Sequence, residues 1–192
     1  LLCPAGTYQD QNKQSFCKQC PKHEYQDQEG QLSCILMTLA SCPKGKEFKG
    51  PELSATKDSD GTCSICTSGR YSDTDSKDPC SNCPNGRYLL DVATTATAHE
   101  REDQCLFCIK GKQFKDKTSK CTICEAGTYQ NSNDATSAIC KPCPYGRYLI
   151  DTATDNDKHD AVLDCLYCNK GKEFKDTTSE CTTCDAGMYQ NS

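Results

Sequence analysis

Cys-x-x-Cys occurs eight times in this 192-residue chain, and a ninth pair, Cys34 and Cys42, is spread across seven intervening residues. Thiols at such spacings support three chemistries. Two converging pairs can hold a structural zinc ion. One pair at a helix start in a βαβ setting can run thiol–disulfide exchange. Many pairs in register can form a disulfide framework. Zinc needs ligands in fours, whereas the repeat described below carries six Cys, and the Cys34–Cys42 gap breaks the short chelate spacing. Redox catalysis expects a single motif with strands and helices alternating around it, and that alternation is missing. A disulfide ladder remains the simplest arrangement that survives repetition, each opening Cys joining the first Cys of the next pair. The expected pairs are Cys3–Cys17, Cys20–Cys34, Cys42–Cys63, Cys66–Cys80, Cys83–Cys105, Cys108–Cys121, Cys124–Cys140, Cys143–Cys165 and Cys168–Cys181, leaving Cys184 over. Spacing alone does not prove this connectivity.

Composition says why such a framework is needed. Leu, Ile, Val and Phe together number 25, there is no Trp, and 19 residues are Cys. That apolar content is in the range of disordered chains and cannot build one core for a globule of this length. A large α/β enzyme is excluded. Closed loops of this size would each contribute about 3 kcal/mol by constraining the unfolded chain. Disulfides at this density imply an extracellular or cell-surface location reached through the secretory pathway. The net charge of −5 argues against nucleic acid as a partner. No apolar run approaches the length of a membrane span, so no membrane insertion is expected within these residues.

The elements that must position the Cys come from a repeat. A shift of 60 residues aligns 80–132 with 140–192 without a gap, 31 of 53 positions being identical. A looser copy precedes them. The chain is therefore divided into a divergent first repeat, 1–65, a second, 66–123, a third, 124–183, and the start of a fourth, 184–192. Within each repeat a smaller pattern recurs: a Cys, Gly three residues later, then Tyr or Phe. It begins at Cys3 (Gly6, Tyr8), Cys42 (Gly45, Phe48), Cys66 (Gly69, Tyr71), Cys83 (Gly86, Tyr88) and Cys108 (Gly111, Phe114). It continues at Cys124 (Gly127, Tyr129), Cys143 (Gly146, Tyr148), Cys168 (Gly171, Phe174) and Cys184 (Gly187, Tyr189). The copy at Cys20 has His23 where Gly is expected but keeps Tyr25. Ten of the 14 aromatic residues occupy this one position. Gly suits a turn with positive φ, and the ring is expected to cover the neighbouring disulfide. Leu1-Leu2-Cys3 reads as the end of a Cys-x-x-Cys, so a longer tandem array is expected, and Cys184 awaits a further module rather than being a reactive thiol.

Cys3-Pro4-Ala5-Gly6-Thr7-Tyr8, Cys143-Pro144-Tyr145-Gly146-Arg147-Tyr148 and their copies resemble the cysteine-rich repeats of ephrin-receptor ectodomains and tumour necrosis factor receptors. The resemblance implies a small disulfide-rich fold: a tandem array of loop-rich, two-stranded β modules forming an elongated rod. It implies the same first-to-next Cys pairing. The chain departs from those receptors in regularity, its consecutive repeats being too alike for individualised ligand loops, and that homogeneity suits a material.

Other features carry less. Basic hairpins recur at Lys44-Gly45-Lys46 with Lys49, Lys110-Gly111-Lys112 with Lys115, and Lys170-Gly171-Lys172 with Lys175. They are solvated turns, or contacts to acidic stretches of a neighbour such as Glu100, Glu102 and Asp103 or Asp155, Asp157 and Asp160. Asp58-Ser59-Asp60-Gly61 and Asp155-Asn156-Asp157 fall short of a calcium loop. Ala93-Thr94-Thr95-Ala96-Thr97 is a polar loop or short helix with room for O-linked glycans. His23, His99 and His159 lack a catalytic constellation. Ile35–Ala40 and the Gly50–Gly61 loop set the first repeat apart as candidate lateral contacts. The expectation is a non-enzymatic extracellular structural repeat protein, a disulfide-stapled rod or filament at the cell surface, with no cofactor and no metal. Its expected partners are homotypic, neighbouring units or other copies of the chain. The alternative is a stalk or ligand-binding ectodomain of an adhesion or signalling receptor.

Overall fold

A computed structural model describes residues 2–39, 41–133 and 136–188. Leu1, Ala40 and Tyr189, each singled out in the sequence, lie outside the described residues. Every module opens on a tight turn. In the first, the Thr7 N–H donates to the Pro4 carbonyl at 3.1 Å, with Gly6 at φ +80° as the third residue. A β-carbon there would crowd the backbone, which is why Gly recurs at this position. His23 is the exception: it adopts φ +71° and still lets the Glu24 N–H reach the Pro21 carbonyl at 3.1 Å.

The turn leads into a short strand, and the two residues after the module's closing Cys form, or belong to, the strand that returns. Thr7–Tyr8 pairs with Lys18–Gln19, Glu24–Tyr25 with Ile35–Leu36, and Arg70–Tyr71 with Ser81–Asn82. Arg87–Tyr88 pairs with Leu106–Phe107, Lys112–Gln113 with Thr122–Ile123, and Thr128–Tyr129 with Lys141–Pro142. Arg147–Tyr148 pairs with Leu166–Tyr167, and Lys172–Glu173 with Thr182–Thr183. Lys46–Lys49 with Thr62–Ile65 is the longest ladder, at four residues a side. The nine described sheets are all two-stranded and antiparallel. Hairpins this short are not stable alone. The following Cys N–H closes several of them by donating to the previous Gly carbonyl, as from Cys20 to Gly6 (3.0 Å) and Cys143 to Gly127 (2.8 Å).

Disulfides supply what the strands lack. Sulfur bridges join Cys3–Cys17, Cys20–Cys34, Cys42–Cys63, Cys66–Cys80, Cys83–Cys105, Cys108–Cys121, Cys124–Cys140, Cys143–Cys165 and Cys168–Cys181. Cys184 is a free, half-buried thiol. Cys provides most of the buried apolar residues, joined by Met37, Phe48, Ala55, Leu89, Ala138 and Leu149. The fold is a series of small disulfide-rich β modules with no α-helix among the described residues, and short 3₁₀ turns such as Ala96–His99 and Asn156–Lys158 mark the longer loops.

The chain folds as two compact bodies. One comprises 1–82 with 91–104. Its core gathers Met37, Cys42, Phe48 and Ala55, with Tyr25 and Cys63 against it. Met37 is therefore a core residue, while Ile35 and Leu36 in the same segment are exposed. The other body comprises 83–90 with 105–192, and its core holds Cys143, Leu149 and Cys165 with Tyr129 packed on them. Phe48 covers the disulfide of its own module, as expected. Tyr25 and Tyr129 differ: each packs on the disulfide of the module that follows.

Candidate functional site: the junction between modules

At four junctions three consecutive modules meet. The turn Gly of one donates its N–H to the carbonyl of the residue after the next module's aromatic position. The bonds run Gly6 to Gln26 (2.7 Å), Gly45 to Ser72 (2.9 Å), Gly111 to Gln130 (2.8 Å) and Gly127 to Leu149 (2.8 Å). That same residue donates its own N–H one module further on. Gln26 reaches the Ala55 carbonyl (3.1 Å), Ser72 that of His99 (2.9 Å), Gln130 that of His159 (2.9 Å) and Leu149 that of Thr177 (2.9 Å). Buried amides need such partners, and here the backbone supplies them from outside its own hairpin.

The third module also covers the first module's Gly. A β-carbon on Gly45 would lie 2.1 Å from the Ala96 carbonyl oxygen, and one on Gly6 2.5 Å from that of Ser54. At Gly146, Gly171 and Gly187 a β-carbon would meet no described atom within 4 Å.

Side chains reinforce the junctions. Glu47 is buried and accepts from Lys49 Nζ (2.8 Å), the Arg70 guanidinium (3.1 Å) and the Cys80 N–H (3.0 Å). Burial pushes its carboxyl up, but the Lys49, Cys80 and Arg70 contacts outweigh burial and hold it below the usual carboxylate range. Arg70 also donates to the Cys80 carbonyl from Nε (3.1 Å) and a terminal nitrogen (2.6 Å). Across the strand pairs, Arg87 lies over the Phe107 ring and Arg147 over the Tyr167 ring, each 4.1 Å from the centroid.

Carboxylates elsewhere serve as loop caps. Asp60 accepts from the Thr56 and Lys57 N–H groups, and Asp58 from the Thr38 N–H. Asp155 accepts from the Asp157 N–H (3.0 Å). The acidic runs noted in the sequence thus fold onto their own backbone, and no group of three or more His, Cys, Asp or Glu among the described residues is disposed to hold a metal. Sulfurs committed to disulfides are not thiolate ligands, which removes the zinc reading for those eighteen Cys. Of the basic hairpins, Lys49 pairs with Glu47 of its own strand. Tyr71 donates to Glu102, and Arg101 pairs with Asp103. The Thr94 hydroxyl is held by Asp91.

His99 and His159, set aside in the sequence, are completely buried. His99 Nδ1 lies 2.7 Å from the Arg70 carbonyl, and Nε2 lies 3.0 Å from Asp91. His159 repeats this with the Thr128 carbonyl (2.8 Å) and Asp151 (3.2 Å). Bonds from Thr94, then from His99, overcome desolvation and hold Asp91 well below the usual carboxylate range. Thr154, then His159, do the same for Asp151. A signal for this site exists in the sequence. Across 91–100 and 151–160 only Asp, Ala, Thr and His are retained, at Asp91, Ala93, Thr94 and His99 and again at Asp151, Ala153, Thr154 and His159. Ala93 and Ala153 adopt φ +61° and +58°, the bend that lets each Asp reach its His.

An open groove of about 520 Å³ in the second body is lined by Leu149, Ile150, Leu163 and Leu166, with Asp151 and Lys158 at its polar side. Asp151 is occupied by His159 and Thr154, and the groove gathers no nucleophile–base pair.

Comparison with known proteins agrees with a Cys-rich, receptor-like type of module. A family described as tyrosine-protein kinase ephrin type A/B receptor-like matches residues 1–30 and 111–159. Over 77 residues, 37% of this chain, it is 41% identical to thyroglobulin of Mus musculus and 36% identical to that of Rattus norvegicus. Over 97 residues, 48% of the chain, it is 30% identical to signal peptide, CUB and EGF-like domain-containing protein 2 of Mus musculus. The matched stretches are 3% of the thyroglobulin chains and 9% of the third protein.

Proposed function

We propose that this chain is an extracellular, non-enzymatic structural segment whose modules stack through one repeated junction into a rod or filament. The observation that carries the reading is the backbone relay from Gly to the residue after the ring and on to the next loop. It uses main-chain groups that any copy of the module possesses, so it propagates without regard to surface sequence. A heterologous contact of this kind repeats without closing on itself. The density of disulfides supports an oxidising compartment. A second reading, a stalk or ligand-binding ectodomain of a receptor, draws support from the ephrin-receptor-like match.

Negative-stain electron microscopy of the native, unreduced protein tests the two. Long regular filaments are the expected result. Short isolated rods ending after a few modules would overturn the filament and favour the receptor stalk.

A further inference from the structure

The two buried histidines do more than fill space. Each docks on the strand of the preceding module, Arg70–Tyr71 for His99 and Thr128–Tyr129 for His159, and each grips that strand twice. The ring meets the carbonyl of the strand's first residue, while the histidine's own carbonyl accepts the N–H just beyond the strand, from Ser72 or Gln130 (2.9 Å each). A carbonyl oxygen can only accept, so Nδ1 must carry a hydrogen. The nitrogen on the other side faces a carboxylate that its Thr, backbone and His contacts keep ionised. An ionised carboxylate also only accepts, so the geometry is fully satisfied when Nε2 carries a hydrogen as well. A neutral ring would turn a lone pair towards a carboxylate oxygen 3.0–3.2 Å away.

We propose that His99 and His159 are proton-dependent latches, closing their module junctions as imidazolium and loosening them as the neutral ring. The charged groups around each ring are consistent with this. Asp91 faces His99, and the Arg70 guanidinium on the docked strand is turned away to Glu47 and the Cys80 carbonyl. Asp151 faces His159, with Lys158 Nζ 3.5 Å from the far carboxylate oxygen. At the corresponding place in the first repeat, the Gln26 N–H donates to the carbonyl of Ala55, a methyl where the others have an imidazole. The first repeat therefore has the junction without the latch. Loss of the ring proton turns the charge-assisted Nδ1–H bond across each of these two junctions into a neutral one and removes the Asp bond that orients the ring, while the junctions closed at Ala55 and Thr177 are unaffected.

Amide hydrogen exchange on the oxidised 192-residue chain, corrected for the intrinsic rate at each pH, reads this directly. Between about pH 5 and about pH 8, protection at Ser72 and Gln130 is expected to fall about five-fold or more, the difference between a charged and a neutral hydrogen bond, while Gln26 stays constant. In His99→Gln, Ser72 should lose its pH response while Gln130 keeps it. Should that variant fold poorly around residue 72, ¹⁵N NMR of the unsubstituted protein's imidazoles gives a second readout, with both ring nitrogens of each buried His protonated at pH 5. Protection at Ser72 and Gln130 that is flat with pH, an equal fall at Gln26, or a neutral tautomer at pH 5 would overturn the latch. None of these outcomes bears on whether filaments form, so the structural reading stands or falls separately.

Discussion

The carbonyl oxygen of Asn156 lies so close over Gly111 that a β-carbon on residue 111 would stand 2.0 Å from it. Asn156 belongs to the loop two modules further along, so a single residue without a side chain lets one module accept another. Gly171 adopts a similar φ, +78° against +73°, but has no described atom within 4 Å. Comparing the two separates turn strain from junction packing. Gly171→Ala should cost about 1–2 kcal/mol, the penalty of a left-handed conformation for an L-residue. Gly111→Ala should cost distinctly more, because the Asn156 backbone must also move. Thermal melts of the two oxidised variants check this, and equal losses would mean that the loop above Gly111 contributes nothing.

Tyr129 packs on Cys143, Leu149 and Cys165, a core that belongs to the next module. Replacing both Cys143 and Cys165 by Ser should therefore disturb two modules. The disulfide closes a loop with a sequence separation of 22 and stabilises by about 3 kcal/mol. Tyr129 fluorescence or ring NMR shifts should report the loss although the Cys124–Cys140 bridge is intact. A signal from Tyr129 that does not change would show that modules are energetically independent.

The fold class was legible because each Cys and each turn Gly has a local task. The turn needs Gly at positive φ, and the two residues between paired Cys return as a strand, both of which follow from neighbours in sequence. What reaches across modules was not legible. Nothing local to Tyr129 shows that its ring leaves its own module while Phe48 stays. His99 was set aside because its partners, Asp91 and the Arg70 carbonyl, are 8 and 29 residues away and assemble only when loop meets strand. The acidic runs, which fall short of a calcium loop, had no legible role for the same reason: their capping of the Thr38, Thr56 and Asp157 amides depends on loop paths that composition does not encode.

Acid should open the loops before the hairpins. Bonds from Thr94 and Thr154, followed by those from the two histidines, hold Asp91 and Asp151 low. Asp116 is held low chiefly by the Thr118 N–H and hydroxyl, and Asp176 by the Thr178 hydroxyl and N–H. A carboxyl whose folded pKa is depressed stabilises above its unfolded value, near 3.9, and loses that contribution as pH falls through the folded value. NMR titration below about pH 4 should shift the Thr94, Thr118, Thr154 and Thr178 amides first, while strand amides next to the disulfides hold. Simultaneous loss of both sets would contradict this order. Asp91→Asn should shift the Thr94 and Thr95 amides at neutral pH without affecting Thr154.

Glu47 offers the strongest single test of side-chain contributions to a junction, since it is buried and joins its own strand to Arg70 and the Cys80 N–H of the next module. Glu47→Gln keeps an acceptor for Cys80 but gives up the charge that pairs with Lys49 and Arg70. Truncation to Ala also orphans the Cys80 amide, which alone costs about 1–3 kcal/mol. The expected order of stability is Glu47, then Gln, then Ala. A double-mutant cycle with Arg70→Ala should give a coupling between about 0.5 and 3 kcal/mol, as for residues sharing one network. Additive losses would assign the work to the Cys80 amide and leave Arg70 serving only the Cys80 carbonyl. In the later repeats the position equivalent to Glu47 is Gln113 or Glu173. Glu47→Gln therefore also places in the first repeat the side-chain type that the second repeat carries at this position.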